Sequence, residues 1–170
     1  MAKRSLIIGG VPAAGKTTLM RKVLNKIKDL KTFKYGYLRG LHKDDFAVLG
    51  IYSNNEVFAG TDRLSMNVQG HYERFVEKKE FSLLFEGDRL FTQKNLLYLV
   101  ENYVTRIIWL DPDEDILKKR HWDRQDTQSD KWLKSRATKI KNIMDNDTIM
   151  KKTERVTEPN SKGLAQDIYN

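Results

Sequence analysis

Two rhythms of apolar and polar positions alternate along the chain. Ser5-Leu-Ile-Ile-Gly9, Phe81-Ser-Leu-Leu-Phe85 and Thr105-Arg-Ile-Ile-Trp-Leu110 are short apolar runs bounded by polar residues. Their length and flanks predict strands buried on both faces. Between them the apolar residues recur at helical spacing. Leu19, Val23, Leu24, Ile27 and Leu30 share one face, and so do Leu64, Val68, Tyr72, Phe75 and Val76 in a helix opening at Gly60-Thr-Asp-Arg63. Leu96, Leu97, Val100 and Tyr103 mark another helix. The stretch from Tyr35 to Thr61 differs. Phe46–Tyr52 and Glu56–Ala59 read as strands around a Ser53-Asn54-Asn55 turn, an inserted β-hairpin, with Tyr37–Leu41 as a further candidate strand. Toward the end, two helices flank a polar break at Gln125–Asp130, the second with Trp132, Arg136, Ile140 and Ile143 along one side. Arg155–Asn160 reads as a last short strand and Asp167–Asn170 as a frayed end. This alternation predicts a three-layer α/β fold with a mainly parallel sheet. In such sheets functional groups gather at the carboxyl ends of the strands.

The first strand runs into Gly10-Val11-Pro12-Ala13-Ala14-Gly15-Lys16-Thr17, which fits the phosphate-binding loop G-x-x-x-x-G-K-[ST] with a strand before it and a helix after it. Gly10 and Gly15 allow the sharp turn that a side chain would forbid. The loop N–H groups and the positive helix end, through Thr18, are suited to phosphate oxygens. Lys16 is placed for the β- and γ-phosphates of ATP, and the Thr17 hydroxyl for Mg²⁺.

Charge and composition narrow the rest. Lys and Arg number 31 against 23 Asp and Glu, a formal charge of +8 that favours an anionic partner, a demand that ATP alone would meet. The absence of cysteine removes disulfide frameworks and thiolate metal sites. No apolar run reaches the roughly 20 residues that span a bilayer, so no membrane association and a cytoplasmic location are expected. His42, His71 and His121 are scattered without metal-ligand spacing. The three tryptophans read as core or lid packing.

Phosphoryl transfer requires a phosphate cradle, a metal, cations over the transferred group and often a base for the acceptor hydroxyl. Asp62, at the entry to a helix after a β segment, is the candidate base; the alternative is a helix N-cap shared with Thr61. Glu86 ends the second clearly parallel strand, where it can organise Mg²⁺ with Thr17; Asp88 is its rival, and a surface ion pair with Arg89 the alternative for either. Arg120 and Arg124 stand one helical turn apart, and their guanidinium forks suit a lid over phosphates; a solvated basic face is the alternative. Arg63, Asp88, Arg89 and Arg136 are the candidates for holding the acceptor.

Together these residues resemble the small P-loop kinases of the nucleoside, nucleotide and polynucleotide kinase superfamily. The resemblance rests on the P-loop, the strand ending in Glu86-Gly87 and the arginine-bearing helix pair. It implies one P-loop kinase domain over residues 1–170, with a helical lid at about 116–143. Val48–Tyr52 and Phe58–Ser65 further resemble phage kinases of DNA hypermodification, including the 5-hydroxymethyluracil DNA kinases. That resemblance implies ATP-dependent phosphorylation of the hydroxymethyl group of the base within DNA, in a host cytoplasm if the chain is phage-encoded. The alternatives are a kinase of a free nucleoside, nucleotide or other small hydroxyl compound, and a polynucleotide 5′-hydroxyl kinase. A nucleotide-dependent switch is disfavoured, because Asn25–Asp29 is one residue too long for the guanine motif N-K-x-D.

Overall fold

The computed structural model describes residues 2–53, 59–125, 128–157 and 161–169. Strand β1 (Arg4–Gly9) lies between β5 (Ser82–Glu86) and β6 (Val104–Leu110), parallel to both. The full order among the described residues is β2-β3-β4-β5-β1-β6-β7, with β2 (Lys31–Tyr35), β3 (Leu38–Lys43), β4 (Phe46–Leu49) and β7 (Thr153–Val156). Strands β4, β5, β1, β6 and β7 run parallel, while β2 and β3 extend the β4 edge as an antiparallel meander.

Alternate residues of the central strands face opposite layers, as the period of two requires. Ile7, Phe85 and Ile107 meet α2 (Gln69–Lys78), α3 (Gln93–Asn102), the C-terminal part of α5 (Asp130–Met144) and α6 (Asp147–Met150). Ile8, Leu84 and Ile108 meet α1 (Lys16–Leu24) and α7 (Ser161–Tyr169). Helix α4 (Glu114–Asp123) buries no residue and stands over the carboxyl ends of the strands.

Several expectations are corrected. Helix α1 stops at Leu24, because Asn25–Ile27 tighten into turns and Asp29 adopts a left-handed φ of 62°. Ile27 still packs on the core from that turn, so the helical spacing outlasted the helix. Phe46–Leu49 pairs with β3 on one side and, in parallel, with β5 on the other. Beyond it only the Ile51–Gly60 antiparallel bridge is seen, and most of the Ser53–Asn55 turn and the Glu56–Ala59 strand lie outside the described residues. Asp62 sits in a 3-10 turn, Thr61–Arg63, and the helix begins only at Gln69. Leu64 is buried from that turn and so mimicked a helical position. The chain end is helical through Tyr169, not frayed from Asp167, whose carboxylate pairs with Arg106. The Arg155–Asn160 strand is displaced to Thr153–Val156, and residues 158–160 lie outside the described set.

Candidate active site

A half-open cleft of about 990 Å³ lies over the carboxyl ends of the parallel strands. Its floor is the P-loop. Gly15 is left-handed at φ 102° immediately before α1, and Ala13 is left-handed too, at φ 66°. The Ala14 amide closes the loop on the Val11 carbonyl at 3.1 Å. Lys16 Nζ donates to the Gly10 and Val11 carbonyls at 2.8 and 2.9 Å, which fixes the ammonium at the mouth of the loop. Pro12, Ala13, Gly15, Lys16, Thr17 and Thr18 line the cleft, whereas Ala14 is buried beneath it.

The end of β5 supplies the second element. Glu86 is 1% exposed, yet its carboxylate borders the cleft. Its Oε1 accepts from Thr17 Oγ1 at 3.3 Å and from the Tyr52 hydroxyl at 3.0 Å. Burial, aided by Asp62, raises its pKa to about 7 against the opposing pull of Lys16, Tyr52 and Thr17. Burial and the same carboxylate push the Tyr52 hydroxyl well above its ordinary value. Gly60 makes this packing possible: a Cβ there would lie 2.2 Å from Glu86 Oε1, on a backbone already at φ 77°. Thr17 and Glu86 together present hard oxygen donors of the kind Mg²⁺ takes alongside phosphate and water oxygens. Among the described residues no cluster of three or more His, Asp or Glu competes as a metal site.

Asp62 is exposed and borders the same cleft. Its Oδ1 accepts the Asp88 and Arg89 amides at 2.8 and 3.1 Å, while Thr61 Oγ1 donates to the Glu86 carbonyl at 2.9 Å. The Asp62 carboxylate therefore ties the 3-10 turn to the β5 end and caps no amide of α2. The helix-cap alternative is thus absent from the geometry, and Oδ2 carries no hydrogen bond among the described residues.

The lid closes over this floor. Arg120 Nη1 donates to the Ala13 carbonyl at 2.9 Å, so α4 touches the P-loop directly. Arg124, at the C-terminal end of α4, also lines the cleft. From α5, Arg136 pairs with Asp88 at 3.4 Å, and Lys139 donates to the Asp88 carbonyl at 2.9 Å. Burial lowers the Lys139 pKa, with Arg136 adding to the effect. Asp88 thus sits between two cations, away from the Thr17–Glu86 pair. Arg89 lines the cleft, but Arg63 does not; its guanidinium donates to Ser53 Oγ at 2.7 Å. Tyr52, Lys139 and Met66 were not singled out from sequence, and Trp132, read there as packing beside Arg136, lines the cleft. Only Lys139 carried a usable signal, three residues after Arg136 on the same helical face.

This floor and lid are those of a phosphate-handling cleft, and the profile of the family described as P-loop Nucleotide Kinase3 matches residues 1–160. The chain belongs to this family. As a P-loop kinase it carries its phosphate loop, strand-end acid and lid in one cleft. Among solved structures it is similar to shikimate kinase from Acinetobacter baumannii in complex with shikimate, at 14% identity and a TM-score of 0.46, over 98% of this chain and 90% of that one. No curated protein matches the sequence. No helix among the described residues is long and apolar enough to cross a membrane.

Proposed function

We propose that this P-loop kinase transfers the γ-phosphoryl group of ATP to the hydroxymethyl group of 5-hydroxymethyluracil in DNA. The observation that carries the proposal is the composition of the acceptor side. Asp62, fixed by two backbone amides, shares the cleft with Arg89, Arg136 and Lys139, set against the carboxylates of Asp88 and Asp123. A base within DNA brings a phosphate on either side of its sugar, and these cations can hold them. The +8 charge agrees.

In this reading Lys16 and the loop amides hold the β- and γ-phosphates, and Arg120 and Arg124 neutralise charge on the transferring group. Thr17 and Glu86 would hold Mg²⁺, which would supply charge neutralisation at the phosphates. Asp62 Oδ2 takes the proton of the acceptor hydroxyl as its oxygen bonds to the γ-phosphorus. The bond to the β-phosphate oxygen breaks, ADP leaves, and the proton passes from Asp62 to solvent. Asp88, Arg89 and Arg136 hold the acceptor; Arg63, turned to Ser53, steadies the segment behind Asp62 and is no acceptor contact.

The test offers γ-labelled ATP with matched DNAs, with and without hydroxymethyluracil, beside free hydroxymethyldeoxyuridine and its monophosphate, over a range of salt. Labelling of modified DNA is expected, falling steeply with salt through counterion release, while any labelling of the free nucleoside changes little. Efficient labelling of a free compound with none on modified DNA would replace this reading with the small-molecule kinase. Labelling of DNA ends regardless of modification would indicate a polynucleotide kinase.

A further inference from the structure

Two large apolar side chains face the cleft without belonging to either apolar core. Trp132 is 38% exposed and Met66 is 81% exposed, and both line the cavity. Exposed side chains of this size are common singly and need no explanation alone. Two in the wall of one cleft do. Met66 follows Asp62 by four residues, immediately beyond the 3-10 turn. Trp132 lies one helical turn before Arg136, which reaches Asp88, the residue whose amide holds Asp62. Both therefore stand on the acceptor side, beside the base. The apolar residues at the other end of the cleft are Leu110 and Leu164, past Thr18, where the adenosine of a P-loop nucleotide continues from its α-phosphate.

The surroundings of Trp132 are those of a stacking site with phosphate contacts. The Arg136 guanidinium lies 5.7 Å from its ring centroid, a cation–π pairing. Arg136 Nε and Arg89 Nε are buried donors with no hydrogen-bond partner among the described residues, and both arginines line the cleft. Through their guanidinium ends the two arginines set positive charge in the cleft wall, which suits an anionic ligand.

We propose that Trp132 and Met66 form the platform on which the acceptor base lies, so that the base enters the cleft as an unstacked ring extruded from its strand. The proposal rests on the reading of a base-borne acceptor hydroxyl. A ring lying on Trp132 is no longer stacked on its neighbours in a duplex, so the enzyme acts by flipping rather than by reaching into the major groove. Extrusion costs a few kcal/mol, which the aromatic and thioether contacts offset in part. The flanking phosphates then fall to Arg89, Arg136 and Lys139.

The experiment compares the parent with Trp132→Ala and Trp132→Phe, on hydroxymethyluracil DNA and on free hydroxymethyldeoxyuridine monophosphate. Loss of base stacking on an aromatic is expected to raise the acceptor KM of Trp132→Ala by at least about fivefold. The ATP KM and the saturating rate should stay near parental values, and Phe should restore most of the acceptor affinity. Binding is also read without turnover: the monophosphate should quench the fluorescence component that the parent has and Trp132→Phe lacks. A fluorescent purine beside the modified base should brighten when the parent binds the duplex. An unchanged acceptor KM with no quenching overturns the platform even if modified DNA is labelled. A KM penalty and quenching with the free monophosphate, when DNA is not labelled, keeps Trp132 as the seat of the base but overturns its extrusion from a strand along with the DNA acceptor. An equal rise in the ATP and acceptor KM values would mark Trp132 as lid packing and overturn the proposal.

Discussion

The two walls of the cleft are built differently. The donor wall is made largely of backbone: a loop closed on itself, a lysine tied to two of its carbonyls, and a carboxylate 1% exposed at a strand end. The acceptor wall is made of side chains from the 3-10 turn, the loop after β5 and α5. A triphosphate is the same in every reaction of this kind, so its site can be rigid and set in advance. An acceptor is selected, and selection lies in side chains that can be exchanged without disturbing the sheet. Loss of a donor-wall group should therefore stop the chemistry, whereas loss of an acceptor-wall group should grade it.

The largest effect is expected on the donor side. Lys16→Ala combined with Thr17→Ala should abolish phosphoryl transfer while the thermal unfolding transition stays cooperative. Near-parental turnover in that folded variant would break the comparison at its base. Asp62→Asn stands where the walls meet. It keeps an oxygen to accept the Asp88 and Arg89 amides but removes the base, so turnover should fall by on the order of 10²–10⁴ with ATP affinity nearly intact. Unchanged turnover in Asp62→Asn would reduce Asp62 to a tie between the turn and β5.

Smaller effects sharpen the lid's place. Arg120→Ala and Arg124→Ala should each lower the saturating rate by roughly 10- to 10²-fold, more than they raise the ATP KM, because each meets charge at the transferring group. Arg120 should show the greater loss, since it also holds the Ala13 carbonyl. Rates at the parental level in both variants would return the two arginines to the solvated face.

The smallest expected effect is on stability. The folded-state pKa of Glu86, raised to about 7, exceeds its ordinary value of 4.5, so the native state binds a proton that the unfolded chain releases. Its contribution is fully present below about pH 4.5 and is lost as pH rises toward 7, by a few kcal/mol at most. In metal-free buffer Glu86→Gln should flatten the decline of unfolding free energy over that interval, measured by urea denaturation. An equally steep decline in the variant would mean that other groups carry it.

The sequence exposed the donor wall because backbone geometry dictates residue type there. A loop that must turn at Gly15 and present Lys16 and Thr17 leaves a spacing that can be read directly. The central strands were legible for a similar reason: burial on both faces leaves continuous apolar runs. Strand β2 was missed because Lys31–Tyr35 is a short edge strand whose alternation is carried by only two half-buried residues, Phe33 and Tyr35. The four-residue α6 is too short to show a period. Asp62 was found at the right place for the wrong element, since Leu64 is buried by a 3-10 turn as well as by a helix. Tyr52 and Gly60 could not be found at all. Their value lies in contact with Glu86, 34 and 26 residues away, and no local pattern records such a contact.

If the acceptor wall selects a hydroxymethyl group on a base in DNA, the position of the transferred phosphate reports it. Modified duplex DNA is incubated with γ-labelled ATP, digested by nucleases to nucleoside 5′-monophosphates with no phosphatase step, and separated by chromatography with mass detection. The label is expected to co-migrate with a nucleotide carrying a second phosphate on the hydroxymethyl oxygen of uracil, and Asp62→Asn should yield far less of it. Label confined to 5′-terminal nucleotides, or found only when free nucleotides are supplied, would contradict that selection.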